Sequence, residues 1–94
     1  MLFIWESDYL KGYRQGVIAV DAVTLAEARS IAAANFDNDV AERHYCGIVG
    51  EDGDFILSDW EREDYENYKA KFQADIAKEP QILELDAFFM YGGD

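Results

Sequence analysis

Two stretches of the form Ser/Thr-x-x-Glu punctuate this chain, Thr24-Leu25-Ala26-Glu27 and Ser58-Asp59-Trp60-Glu61. In such a capping box the hydroxyl accepts from the backbone N–H three residues on, while the glutamate reaches back to the N–H of the capping residue. Each box stands ahead of apolar residues at helical spacing. Leu25, Ala28, Ile31, Ala32 and Phe36 make one stripe, and Tyr65, Tyr68, Phe72 and Ile76 another, widened by Ala70, Ala74 and Ala77. Two helices are therefore placed in the chain from the outset. The alanine-rich run to Ala34 favours the first. Asn35 to Asp39 is expected to end or interrupt it, with Val40 to His44 as a further turn. The second is expected to run to about Lys78, with acids in its first turns and Lys69, Lys71 and Lys78 later, as the macrodipole prefers. Pro80 closes it.

The segments around these helices read as strands. Leu2 to Ser7 is apolar and aromatic, and Val17-Ile18-Ala19-Val20 is short and β-branched, so the two are expected to pair antiparallel across a loop at Asp8 to Gly16. Tyr45 to Gly50 and Phe55 to Ser58 flank Glu51-Asp52-Gly53-Asp54. There the Asp-Gly pair predicts a type I′ hairpin turn, because glycine accepts a positive φ. Gln81 to Tyr91 alternates. Leu83, Leu85, Ala87, Phe89 and Tyr91 are expected to face the core, and Ile82, Glu84, Asp86, Phe88 and Met90 to form a mixed, partly exposed face. The order is ββαββαβ. It predicts an α+β fold with one antiparallel, twisted sheet and two helices packed on one face, a single domain over residues 1–94.

Half of the composition is apolar and fourteen residues are aromatic, so the net charge of −12 does not imply disorder. A single cysteine, Cys46, cannot close an intramolecular disulfide and fits a reducing cytosol. The N-terminal Met-Leu-Phe-Ile-Trp-Glu lacks the basic start and long apolar core of a signal peptide, and no apolar run has the length of a membrane span. A cytoplasmic location is expected, the host cytoplasm if the chain is phage-encoded.

The charge is unevenly spread. Eight of the twenty carboxylates lie in residues 51–66, with Arg62 as the one base among them. Such concentration costs stability through self-repulsion, so it marks a solvated face or a surface kept for a cationic partner. The first turn of a helix attracts two or three acids, not eight. Asp59, Glu63 and Glu66 fall at i, i+4 and i+7, about one turn, ~5.4 Å, apart. With Glu51, Asp52 and Asp54 at the hairpin tip they form a band of separated carboxylates like a stretch of nucleic-acid backbone. The same acidity disfavours direct binding to nucleic acid or to an anionic membrane, which need Lys and Arg. Trp60, off the main stripe of the second helix, and Tyr9 and Tyr13 in the first loop are candidate anchors, because aromatic side chains supply binding area at low entropy cost.

Other chemistries fit less well. Asp52 and Asp54 have the spacing of the first two ligands of a calcium loop. The fifth and sixth places, however, are Ile56 and Leu57 where an oxygen ligand and a glycine are required. No metal and no cofactor is expected. The glycines at 47, 50 and 53 lack both the spacing and the basic residue of a phosphate loop. His44 and Cys46 would share a face of a strand, so a Cys–His nucleophile is conceivable, but the acidic surroundings disfavour a thiolate. No catalytic residue is expected.

The strand Val17–Val20 followed by Thr24-Leu25-Ala26-Glu27-Ala28-Arg29 is a strand-to-capped-helix module, and it covers the first third of the chain. With the acidity and small size, it resembles the accessory proteins of phages and mobile elements, in particular anti-CRISPR proteins and related nucleic-acid-mimicking inhibitors. The resemblance implies a non-enzymatic inhibitor that blocks a basic nucleic-acid-binding surface of a defence complex. On that reading Glu51, Asp52, Asp54, Asp59, Glu63 and Glu66 supply charge, Trp60 and Tyr13 anchor, and the chain is a monomer or small homo-oligomer. The alternative is a small self-associating structural or assembly subunit whose apolar Phe88-Phe89-Met90-Tyr91 adds to the edge of another sheet.

Overall fold

The computed structural model describes residues 1–12 and 14–84. Its elements are β1 (Leu2–Ser7), β2 (Gly16–Asp21), α1 (Leu25–His44), β3 (Ile48–Val49), β4 (Phe55–Ile56), α2 (Arg62–Ala77) and β5 (Gln81–Leu83), with a 3-10 turn at Asp59–Glu61 leading into α2. The class is α+β and the order is ββαββαβ, as the sequence predicts. Among the described residues no helix is long and apolar enough to cross a membrane.

β1 and β2 pair antiparallel with Leu2 opposite Asp21 and Ser7 opposite Gly16. Gly16 closes the ladder because a Cβ there would stand 2.5 Å from the carbonyl oxygen of Leu10. Phe3, Trp5 and Val20 point to one face and are buried with Ala28, Ala32, Phe36 and Val40 of α1 and Tyr65 and Phe72 of α2. Phe36 stacks on Phe72 with ring centroids 4.7 Å apart, and Tyr9 meets Phe72 edge-on at 6.0 Å. Two polar contacts fasten α2 to β1 on this face. The Trp5 indole donates to the carbonyl of Lys78 at 2.9 Å, and Ser7 donates to Asp75 at 2.6 Å.

The expected single sheet is two. β2-β1-β5 forms one sheet and β3-β4 a separate ribbon. The cause lies in α1, which continues without a break through Asn35 to Asp39. Asn35 donates to the carbonyl of Ile31, Asp37 accepts from the Tyr65 hydroxyl, and Asp39 takes both the Tyr9 hydroxyl and Arg43. These partners offset the low helix propensity of Asn and Asp. Twenty residues of helix span about 30 Å, against roughly 20 Å for the six-residue strands it runs beside. The chain therefore leaves α1 beyond the sheet, and the hairpin forms there.

Several smaller expectations change. Ile31 lies at the exposed rim of α1, while Val40 is buried in its stead. Ala70, Ala74 and Ala77 face solvent, and the inner side of α2 instead carries Asp75. The hairpin turn holds three residues, not two. Gly50 bonds to Asp54 and Gly53 to Gly50, with Gly53 at φ 87°, the turn that ends on a left-handed glycine. Strand pairing within the hairpin covers two residues a side, because Tyr45 has left-handed φ 54° and ψ 33° as the cap of α1. In β5, Ile82 pairs with Phe3 and Leu83 with Leu2; Ile82 is nonetheless exposed and Leu83 half-buried, the exposure expected of each. The remaining positions of that expected strand, 85–91, and the segment at 88–91 lie outside the described residues.

Candidate protein-interaction site

The hairpin is fastened to the start of α2 by Glu61. At Ser58 the capping box forms as the sequence predicts, with the Glu61 carboxylate accepting from the Ser58 N–H at 3.1 Å. The same carboxylate accepts from the amide of Gly47 at the base of the hairpin, and the Cys46 thiol donates to the Glu61 carbonyl at 3.4 Å. Phe55 of β4 packs on Tyr65 of α2, centroids 5.1 Å apart. Together these contacts fasten the hairpin to the first turns of α2. At Thr24 half of the expected box forms: the hydroxyl accepts from the Glu27 amide at 3.1 Å, and among the described residues no bond runs from the Thr24 amide to the Glu27 carboxylate.

Glu61 is the one carboxylate of the acidic run that is withdrawn from the surface, at 8 % exposure. The Ser58 hydroxyl and the amides of Gly47 and Ser58 hold its carboxyl below the usual carboxylate range. The other seven are exposed. Asp52 accepts from the Asp54 amide at 3.3 Å, bracing the tip. Asp59 lies in the 3-10 turn, whose tighter winding moves it off the stripe it would share with Glu63 and Glu66, while those two remain neighbours at i and i+3. Trp60 projects from the same turn at 76 % exposure. Ile48 and Ile56, paired across the hairpin, are exposed as well. Among the described residues the ion pairs involve Asp21, Asp39 and Asp8, and none reaches Glu51, Asp52, Asp54, Asp59, Glu63 or Glu66. These carboxylates and Trp60 are thus all exposed, and among the described residues none of the six has an ion-pair partner.

The other candidate residues separate. Tyr13 lies outside the described residues. Tyr9 is not an exposed anchor. It is buried against Phe36 and Phe72, and its hydroxyl donates to Asp39 at 2.7 Å. Burial and the Asp39 carboxylate push its phenol pKa up. Burial also works on Asp39, but the hydrogen bonds from Arg43 and Tyr9 outweigh it and keep that carboxyl low. His44 is not in a strand. It ends α1 and stacks on Tyr68 with centroids 3.9 Å apart and rings 11° from parallel. Burial lowers its pKa. Burial raises that of the Cys46 thiol, and the charges of Glu61 and Asp64 add to the effect. Among the described residues no hydrogen bond joins His44 to Cys46, and the thiol is held protonated.

Two structural residues escaped the sequence reading. Asp75 is fully buried and accepts from the Ser7 hydroxyl and from the amides of Asp8 (3.0 Å) and Tyr9 (3.1 Å). Its spacing of three from Phe72, inside an apolar stripe, was the available signal. Arg29 of α1 donates to the carbonyls of Ile76 (2.7 Å), Ala77 and Lys78, supplying from another helix the cation that the end of α2 lacks. Comparison with protein-family models, with curated proteins and with solved structures gives no match.

Proposed function

We propose that the chain is a non-enzymatic interaction protein whose acidic end occupies a Lys/Arg-lined surface of a nucleic-acid-binding protein or complex and excludes nucleic acid from it. Inhibitors of the anti-CRISPR type act in this way, and a guided defence complex is the class of partner the reading favours. One observation carries it: the exposed carboxylates of the hairpin tip and the start of α2 have no cationic partner among the described residues, yet Glu61 fastens them together. Their mutual repulsion costs the folded state stability that a basic partner would return. Trp60, exposed in the turn that opens α2, offers a guanidinium-stacking face. Nothing in the reading requires metal, cofactor or chemistry.

The test is charge reversal. Replacing Asp59, Glu63 and Glu66 together by Lys should abolish capture of the partner, with the circular dichroism spectrum unchanged because all three side chains are exposed. Trp60→Ala should weaken capture at least about tenfold, as for a central interface aromatic. Undiminished capture by the triple variant contradicts the proposal. The competing reading, a self-associating subunit, predicts a mass in solution that rises with concentration.

A further inference from the structure

The β3–β4 hairpin has two unlike faces. Phe55 turns toward α2 and packs on Tyr65. Ile48 and Ile56 stand opposite one another, one residue along from the Val49–Phe55 pair, and so point the other way. They are 65 % and 54 % exposed, an apolar cross-strand pair left in water. Gly50 continues this outward face. Gly47 and Gly53 have positive φ, which calls for glycine, whereas Gly50 does not. What glycine provides at 50 is space. A Cβ there would stand 3.0 Å from Oδ1 of Asp52, 3.4 Å from the Asp54 carbonyl oxygen and 3.7 Å from Cδ1 of Ile56. The missing side chain leaves an opening bordered by an aliphatic group and a carboxylate. Charge around it has one sign. Glu51, Asp52 and Asp54 are exposed, no Lys, Arg or His lies between His44 and Arg62, and among the described residues no ion pair reaches the three acids.

We infer that this opening seats one long cationic side chain, arginine or lysine, of the partner's basic surface, with its aliphatic stem across Gly50 against Ile48 and Ile56 and its charged head at Asp52. The inference rests on the proposed function and adds what the partner must offer: a cation on a stem, not charge alone. Arginine and lysine lay their methylenes along apolar surface while the head stays in water. The hairpin face matches both halves. The Asp54 amide donates to Oδ1 of Asp52 at 3.3 Å, which holds that carboxylate beside Gly50. Its remaining lone pairs are available to the incoming head. Charge complementarity selects the occupant. A second copy of this chain would bring three further carboxylates against these three, and repulsion opposes it.

The experiment titrates the intact, isotope-labelled protein with two six-residue peptides at low salt, followed by NMR. One is hexa-arginine. The other is built from 2-amino-3-guanidinopropionic acid, which holds the same guanidinium on a stem two methylenes shorter. Their charges are equal, so attraction to carboxylates alone binds them alike. The Ile56 methyl and Gly50 amide signals should move with hexa-arginine. It should bind at least about fivefold more tightly than the analogue, part of what full burial of two methylenes gives. Gly50→Ala fills the opening; the backbone there accepts alanine and the Asp52 carboxylate can turn aside. The preference should then fall below about twofold. Ile56→Thr, at an exposed position, should do the same and guards against a folding defect in the alanine variant. Equal binding of the two peptides by the wild type, or a preference that survives both variants, would overturn the inference. The variant reversed at 59, 63 and 66 leaves this hairpin untouched, so its partner capture reports on the proposed function and the peptide preference on the seat.

Discussion

Tyr45 shows most directly how single residues set the shape of the acidic end. It is the one described non-glycine residue with positive φ, and its ring is 86 % exposed. A left-handed conformation costs a residue with a Cβ about 1 kcal/mol relative to glycine, and helices commonly end on glycine at this position. Tyr45→Gly should therefore raise the unfolding free energy by about 0.5–1 kcal/mol in a urea titration; a loss of stability would show that the ring contributes packing. Glu61 supplies a pH test. Its folded pKa lies below the ordinary carboxylate value of 4.5, so the attachment of hairpin to helix is fully stabilising above that value and is lost as pH falls through the lower folded one. The Gly47 amide resonance, followed by NMR down from neutral pH, should titrate with a midpoint below 4.5. A midpoint at or above the ordinary value would contradict the arrangement.

At the scale of elements, local chemistry was legible in the sequence and distant partnership was not. Both helix starts could be read because the groups that make them, Thr24 with Glu27 and Ser58 with Glu61, lie three residues apart. The break expected at Asn35–Asp39 was a sound inference from propensity, but Tyr65, Tyr9 and Arg43 supply side-chain partners for Asp37 and Asp39 that spacing could not show. The number of sheets followed from that one error, since a broken helix would have returned the hairpin to the sheet. Asp75 is the strongest case of a contact hidden from sequence. One carboxylate gathers the hydroxyl of Ser7 and two amides of the loop after β1, and so ties α2 to the sheet. Asp75→Ala leaves these buried donors unpaired and should destabilise the protein by about 3 kcal/mol in denaturant titration. A change below about 1 kcal/mol would mean that water replaces the carboxylate at little cost.

Across the whole molecule, the core and the charge are separated. Aromatic packing between the sheet and the two helices makes the core, which reaches Cys46 and Tyr65 beside the hairpin, and seven carboxylates of residues 51–66 stay exposed outside it with Trp60. The acidic run and the exposure of Trp60 were readable from composition and helical phase. That Glu61 is the fastening and the rest the surface was not, because one glutamate resembles another until its partners are known. The central claim is that this end competes with nucleic acid for a basic surface. The most direct measurement is capture from bacterial lysate on the immobilised protein, challenged first with salt and then with added DNA or RNA. The account predicts a nucleic-acid-binding complex that salt releases and nucleic acid displaces, and that the variant reversed at 59, 63 and 66 fails to hold. A captured complex indifferent to salt, to nucleic acid and to that charge reversal would contradict it.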